Sequence, residues 1–218
     1  MARYRRMRRW RKPVRRFRRS RFAYRRRRRI AVRTGDLRVK LLKRDAVVAT
    51  NKVLNVKSLS FLPNDFAEYT NLAPNFEYVK FLKVKVTVRP NMNVSNNSSS
   101  RQGTYCLLPY HRAGPVASQY EYYLSSDKAK VFRNTAVGRQ SYVPNVHLAD
   151  NTDGVASYDT FQWRPSLYTT KAQSIFPRIY CGILAIDVVN SADEGVSGYD
   201  VFTEVDVIFK NQNLLPNV

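Results

Sequence analysis

The chain holds only two cysteines, two histidines and eight glycines among its 218 residues, and each scarcity closes off a class of protein. Cys106 and Cys181 stand 75 positions apart, a separation that suits neither a disulfide-dense secreted scaffold nor a metal-binding motif. Both are therefore expected to be small buried hydrophobes with free thiols. His111 and His147 fall in segments read as loops and have no motif partners; His111, beside Arg112, is taken as an ordinary exposed histidine. With no phosphate-cradling glycine loop and no His/Cys cluster, the chain is expected to be no enzyme and to carry no metal, cofactor or catalytic residue. No run approaches the ~20 apolar residues of a membrane helix, and arginines occupy the N-terminal positions where a secretory leader has its apolar region. A soluble protein without membrane insertion is expected. Scarcest of all is negative charge at the front, where Asp36 is the first acid.

What takes its place is arginine. The formal net charge is +22, from 38 Lys/Arg against 16 Asp/Glu. Residues 1 to 44 hold 22 of those bases and one acid, a net of +21, which leaves 16 bases and 15 acids, or +1, for residues 45 to 218. The division reads as two units: a basic arm over 1–44 suited to nucleic-acid binding and nuclear targeting, and a charge-balanced folded domain over 45–218. Within the first 29 residues the bases are Arg3, Arg5, Arg6, Arg8, Arg9, Arg11, Lys12, Arg15, Arg16, Arg18, Arg19, Arg21, Arg25, Arg26, Arg27, Arg28 and Arg29. Their mutual repulsion and the shortage of aliphatic neighbours predict disorder, since burial cannot offset the ~1 to 2 kcal/mol per residue of backbone ordering. Guanidinium groups fork onto phosphate oxygens. The interleaved Tyr4, Trp10, Phe17, Phe22 and Tyr24 are candidates for stacking on unpaired bases, or for anchoring the arm against a protein wall.

Residues 30 to 45 mix apolar and basic residues, and order is expected to begin there. Beyond them, period-two alternation dominates. Ala46 to Phe61 is expected to be one strand, ending in the turn-like Leu62-Pro63-Asn64-Asp65. The clearest strand is FEYVKFLKVKVTVRP, residues 76 to 90, where Val84, Val86 and Val88 alternate with Lys83, Lys85 and Thr87. Strands are also read at 104–110, 130–143 and around TFQWRP. RIYCGILAIDVVN, 178 to 190, has the apolar continuity of a strand buried on both faces. YDVFTEVDVIFK, 199 to 210, puts Tyr199, Val201, Val205, Val207 and Phe209 on one face and Asp200, Glu204, Asp206 and Lys210 on the other. The intervals 91–103 and 144–159 are expected to be irregular; the first carries Asn-x-Ser triplets at Asn93, Asn96 and Asn97, read as a solvated loop. The stretch between 111 and 127 has room for one short helix. Eight strand-like segments with long loops make an all-β antiparallel sandwich, with an eight-stranded jelly roll and an immunoglobulin-like sandwich both open to periodicity alone. Tyr120, Tyr122, Tyr123, Trp163 and Tyr168 are candidate interface anchors, or equally core or sandwich-edge residues.

Four stretches together resemble the capsid proteins of circoviruses and cycloviruses, with the length nearer the cyclovirus side. They are the opening MARYRRMRRWRKPVRRFRR, the strand FEYVKFLKVKVTVRP, PSLYTTKAQ ahead of RIYCGILAIDVVN, and the closing YDVFTEVDVIFKNQNL. That resemblance implies an eight-stranded jelly-roll subunit, sixty copies in a T=1 icosahedral shell, and a circular single-stranded DNA cargo. It also implies host import receptors acting on the arm, a place in the virion and the host nucleus, and attachment to host cells with a surface glycosaminoglycan as candidate receptor. A cellular nucleic-acid-binding protein of ribosomal or chromatin type, with a basic tail on a β domain, stands as the alternative.

Overall fold

The computed structural model describes residues 35–91, 103–112, 117–149, 159–169, 176–188 and 196–212. These hold eleven strands and two short α-helices: β1 (Leu37–Thr50), β2 (Asn55–Phe61), α1 (Ala67–Leu72), β3 (Phe76–Pro90), β4 (Thr104–Pro109), α2 (Tyr120–Leu124), β5 (Lys130–Arg133), β6 (Gly138–Tyr142), β7 (Asn145–Ala149), β8 (Asp159–Trp163), β9 (Ser166–Tyr168), β10 (Ile179–Ile186) and β11 (Val196–Gln212). All pairings are antiparallel. In one sheet the order is β1-β11-β3-β6, with β9 also on β3; in the other it is β5-β4-β10-β7-β8, with β2 also on β10. First, last and third strands side by side, facing a sheet centred on the penultimate strand, make the jelly roll that alternation alone left open. The strands number eleven because the tract expected as one strand over residues 46–61 yields two, and the middle of the chain, from Lys130 to Tyr168, is broken into five strands of three to five residues.

Long-range pairing decides the strand boundaries. β1 begins at Leu37, inside the tract where order was expected, and its whole length pairs with β11 from Leu37↔Phe209 to Thr50↔Val196. The charge boundary at Arg44 therefore falls within a strand. The single strand expected over Ala46 to Phe61 is instead two strands in different sheets. At the corner between them Asn55 supplies the reason: its Nδ2 donates to the carbonyls of Thr50 and Val53 at 2.8 and 2.7 Å, so one side chain closes the turn. His147 lies on β7, not in a loop, and the interval expected to be irregular from Pro144 contains that strand. The expected short helix is α2. α1 was not foreseen, because six residues give no helical period to read.

β3 runs over Phe76–Pro90, as its pattern predicts, with one departure from strict alternation. Phe81 and Val84 are both fully buried although three positions apart. The register against β11 explains it: Val207 faces Phe81 while Asp206 faces Lys83, so Leu82 is the extra residue of a β-bulge. The bulge keeps Val79 and Phe81 inward on one side and Val84, Val86 and Val88 inward on the other.

The two inner faces meet in a core built on β3, β10 and β11, joined by Leu41, Phe61, Leu107 and Tyr142. Phe61 packs on Phe66 at 5.3 Å and on Phe81 at 6.1 Å between ring centres, and Phe209 on Phe76 at 5.3 Å and Tyr69 at 5.9 Å. α1 and the turn before it bring Phe66 and Tyr69 into this aromatic row. A second, smaller cluster lies on the other side of β10, where Tyr120 and Tyr123 of α2 cover Cys106, Leu108, Ile183 and Ala185. β10 is thus buried on both faces, as its apolar continuity predicts.

Gly182 marks the tightest approach of a described glycine to another backbone atom. A Cβ there would lie 2.6 Å from the backbone oxygen of Leu108 and 2.8 Å from the Tyr142 ring, and a backbone atom in a sheet cannot yield. Gly182→Ala should therefore cost about 1 to 3 kcal/mol of stability, measured as a lowered midpoint of chemical denaturation with unchanged slope.

Candidate surfaces for assembly and polyanion binding

The seventeen arm bases and the five arm aromatics singled out in the sequence all lie outside the described residues, as do the Asn-x-Ser triplets. The described residues instead reveal a charged surface on the solvent side of the β1-β11-β3 sheet. Side chains alternate along β11, so the strand that buries Val201, Val205, Val207 and Phe209 must present Asp200, Glu204 and Asp206 outward. Its neighbours present bases. Glu204 accepts from Lys40 Nζ of β1 at 2.9 Å and lies 3.7 Å from Lys85 Nζ of β3. Asp200 is held by a two-pronged Arg44 contact, Nε to Oδ1 and Nη2 to Oδ2, both 3.0 Å, and pairs in register with Arg89. Asp206 lies 3.7 Å from Arg38 and opposite Lys83.

Three acids are thus flanked by six bases, Arg38, Lys40 and Arg44 on one side and Lys83, Lys85 and Arg89 on the other. Arg89 also lies 5.1 Å above the Phe202 ring. The pairing shifts the proton affinities in matching directions. The hydrogen bond from Lys40 holds Glu204 below the usual carboxylate range, and Glu204 in return raises Lys40. Hydrogen bonds from Asn91 and then Arg44 lower Asp200. The more exposed pairs, those of Glu204 and Asp206, contribute about 0 to 1 kcal/mol each, against about 1.5 to 3 kcal/mol for burying one Val or Phe side chain. Burial therefore stabilises the sheet, and the charges fix which strands can lie side by side. The signal was present in the sequence as the Asp200/Glu204/Asp206 and Lys83/Lys85 alternations; the pairing of those two strands was not.

The aromatic anchors divide. Tyr122, Trp163 and Tyr168 are exposed, and Phe161 joins them on β8. Tyr120 and Tyr123 are not interface anchors: both are buried under α2, where Tyr120 shares a hydrogen bond with Thr104 Oγ1 at 3.2 Å and Tyr123 donates to the Ala117 carbonyl at 2.8 Å. A five-residue helix needs such apolar ballast to dock, which is why these two tyrosines point inward. His111 is likewise not an ordinary exposed histidine. Its ring stands edge-on to Trp163 at 4.7 Å, and burial lowers its proton affinity, partly countered by a hydrogen bond to the Tyr180 backbone.

Cys106 and Cys181 are free and fully buried. Burial pushes their thiols up to about 11 and about 12, so neither supplies a thiolate at neutral pH.

A jelly-roll subunit with an arginine-rich leader and a solvent face of interleaved charge is the architecture of a viral coat protein. The comparisons agree. The circovirus capsid protein family model matches residues 3–213, and the capsid protein of Human associated cyclovirus 1 is 36% identical over 183 residues, covering 82% of this chain and 83% of the relative. The chain belongs to the circovirus capsid protein family, and its place is the virion. Its role is structural and not enzymatic. Among solved structures, the 60-mer BFDV capsid protein superposes with a TM-score of 0.63 at 14% identity, covering 84% of this chain and 98% of that one. The decameric BFDV capsid protein gives 0.53, also at 14% identity, over 80% and 99%. Cucumber Leaf Spot Virus gives 0.51 at 12% identity, over 83% of this chain and 53% of that chain. These likenesses establish the fold.

Two outcomes follow from this chemistry. Glu204 and Asp200 have folded proton affinities below their ordinary values of 4.5 and 3.8, so the stability they contribute is fully present above those ordinary values and is lost as pH falls from them through the lower folded ones. Thermal midpoints between pH 6 and pH 3 should drop, with a shallower drop in Glu204→Gln. The native protein should not react with a disulfide-exchange reagent at pH 7.5, whereas two thiols should titrate after denaturation.

Proposed function

We propose that the chain assembles as sixty copies into a T=1 icosahedral shell and packages circular single-stranded DNA through its arginine-rich arm, which also binds host import receptors and carries the protein to the nucleus. The observation that carries this reading is charge segregation: +21 over residues 1–44 and +1 over the remaining 174. Each arginine that neutralises a phosphate releases condensed counterions, so log K falls by roughly 0.7 per contact per decade of salt on a single strand. Sixty such arms supply roughly 1,300 positive charges, enough to neutralise a genome on the order of a thousand nucleotides or more. The near-neutral body lets identical subunits approach without the repulsion that +22 spread evenly would impose. Tyr122, Phe161, Trp163 and Tyr168 are the aromatic side chains left exposed for contacts between copies. A cell-surface glycosaminoglycan is the candidate receptor class, and loss of attachment after heparinase treatment is the result it requires.

Deleting residues 2–34, which leaves β1 whole, tests the division of labour. Closed particles should still form by electron microscopy while nuclease-resistant DNA per particle falls several-fold. Undiminished DNA would overturn the role of the arm, and a full-length chain that stays monomeric with DNA at physiological salt would overturn the shell.

A further inference from the structure

We infer that the folded body carries its own binding site for the phosphate backbone of single-stranded DNA, separate from the arm, in a cavity lined by Lys85, Lys128, Lys130 and Arg139. The cavity has a volume of about 470 Å³ and opens where β5 and β6, the end strands of the two sheets, part company. Ala129, Gln140 and Ser141 complete its lining, and no carboxylate contributes. In a body whose total charge is close to zero, four bases around one cavity without an acid form a local excess that nothing in the lining compensates.

The pairing of these bases leaves them available. Lys130 and Arg139 have no ion-pair partner among the described residues. Lys128 lies 3.6 Å from Asp127, its neighbour in sequence, with both side chains mostly in water. Lys85 is 3.7 Å from Glu204, whose nearer partner is Lys40 at 2.9 Å. Exposed pairs this long bind weakly, so a phosphate displaces little.

The cavity is also held in shape. Lys128 has a φ of 62°, a left-handed backbone that is strained for a lysine. Gln140, 94% buried by its 6% exposure, donates from Nε2 to the Lys128 carbonyl at 3.0 Å and keeps that conformation in place. A surface turn with no function would be expected to carry glycine or asparagine at such a position. Here the strained residue is a base, and a buried amide maintains it at the rim of a basic cavity.

Single-stranded DNA suits this place better than a small anion. Lys85 belongs both to the cavity and to the charged surface of the β1-β11-β3 sheet, where bases outnumber acids six to three. A flexible chain of phosphates can occupy the cavity and continue along that surface, releasing counterions at each contact. A lone phosphate gains only the cavity.

The inference rests on the packaging reading above but fails separately from it. The full-length chain would be titrated with a fluorescent thirty-nucleotide oligothymidylate from 50 to 500 mM NaCl. Three proteins are compared: wild type, Lys128→Ala/Lys130→Ala/Arg139→Ala, and Arg25→Ala to Arg29→Ala in the arm. The cavity variant should lower the slope of log K against log salt by about 2, three contacts at roughly 0.7 each, and the arm variant should lower it by an additional, independent amount. An unchanged slope in the cavity variant with a reduced slope in the arm variant overturns the inference and leaves the packaging reading standing. The reverse pattern overturns the arm's role and supports the inference. Weakened heparin binding with unchanged oligonucleotide binding assigns the cavity to sulfated polysaccharide and overturns the DNA assignment. Acetylation of lysines in the unmodified protein keeps the test independent of folding: Lys128 and Lys130 should be protected by oligothymidylate and not by inorganic phosphate at the same phosphate concentration. Equal protection by both would overturn the backbone assignment.

Discussion

The body is organised around β11. It pairs along its length with β1 and β3, so every side chain it carries is seen by both neighbours. Its inward residues Val201, Val205, Val207 and Phe209 are fully or nearly fully buried, and its outward acids are the only carboxylates between two basic strands. Remove the acids, and Arg38, Lys40 and Arg44 would face Lys83, Lys85 and Arg89 across one strand width without a countercharge, with the like-charge repulsion that cross-strand neighbours impose. Remove the apolar face, and the two sheets lose their common core. A single seventeen-residue strand thus satisfies a hydrophobic and an electrostatic constraint by alternation alone.

The same economy appears in the opposing sheet by different means. β10 is apolar on both faces because it faces two cores, the main one against β3 and β11 and the smaller one under α2. Two of the tyrosines that resembled interface anchors are consumed in covering it. Among the described residues, the aromatics that remain exposed lie on β8, β9 and α2. Position in the fold decides which aromatic side chains are spent on the cores and which are left at the surface.

Net charge follows a parallel logic. The body is almost neutral in sum yet uneven in detail, with Asp200, Glu204 and Asp206 on the sheet surface and a cavity beside it whose lining holds no acid. For a coat protein this arrangement separates two demands: copies must tolerate one another, and a polyanion must be held. Neutrality on average suits the first, and the proposed arm and cavity sites would serve the second.

Much of this was legible in the residues themselves. Charge segregation, the inward set of β3 and β11, the double burial of β10 and the inert cysteines are all written in spacing, because period-two alternation and side-chain polarity are local properties. The fold family came from motif resemblance and not from physics. What only the tertiary structure decided was partnership. Ala46 to Phe61 splits because Asn55 closes a corner between sheets; Leu82 is bulged because β11 imposes its register; Tyr120 and Tyr123 turn inward because α2 covers β10. Lys128 meets Lys85, Lys130 and Arg139 only because two sheet edges lie together. The Asn55 corner is a local contact, but the bulge, the covering of β10 and the meeting of Lys85 with Lys128 depend on residues far apart in sequence, and the free energy of such contacts is invisible to any window along the chain.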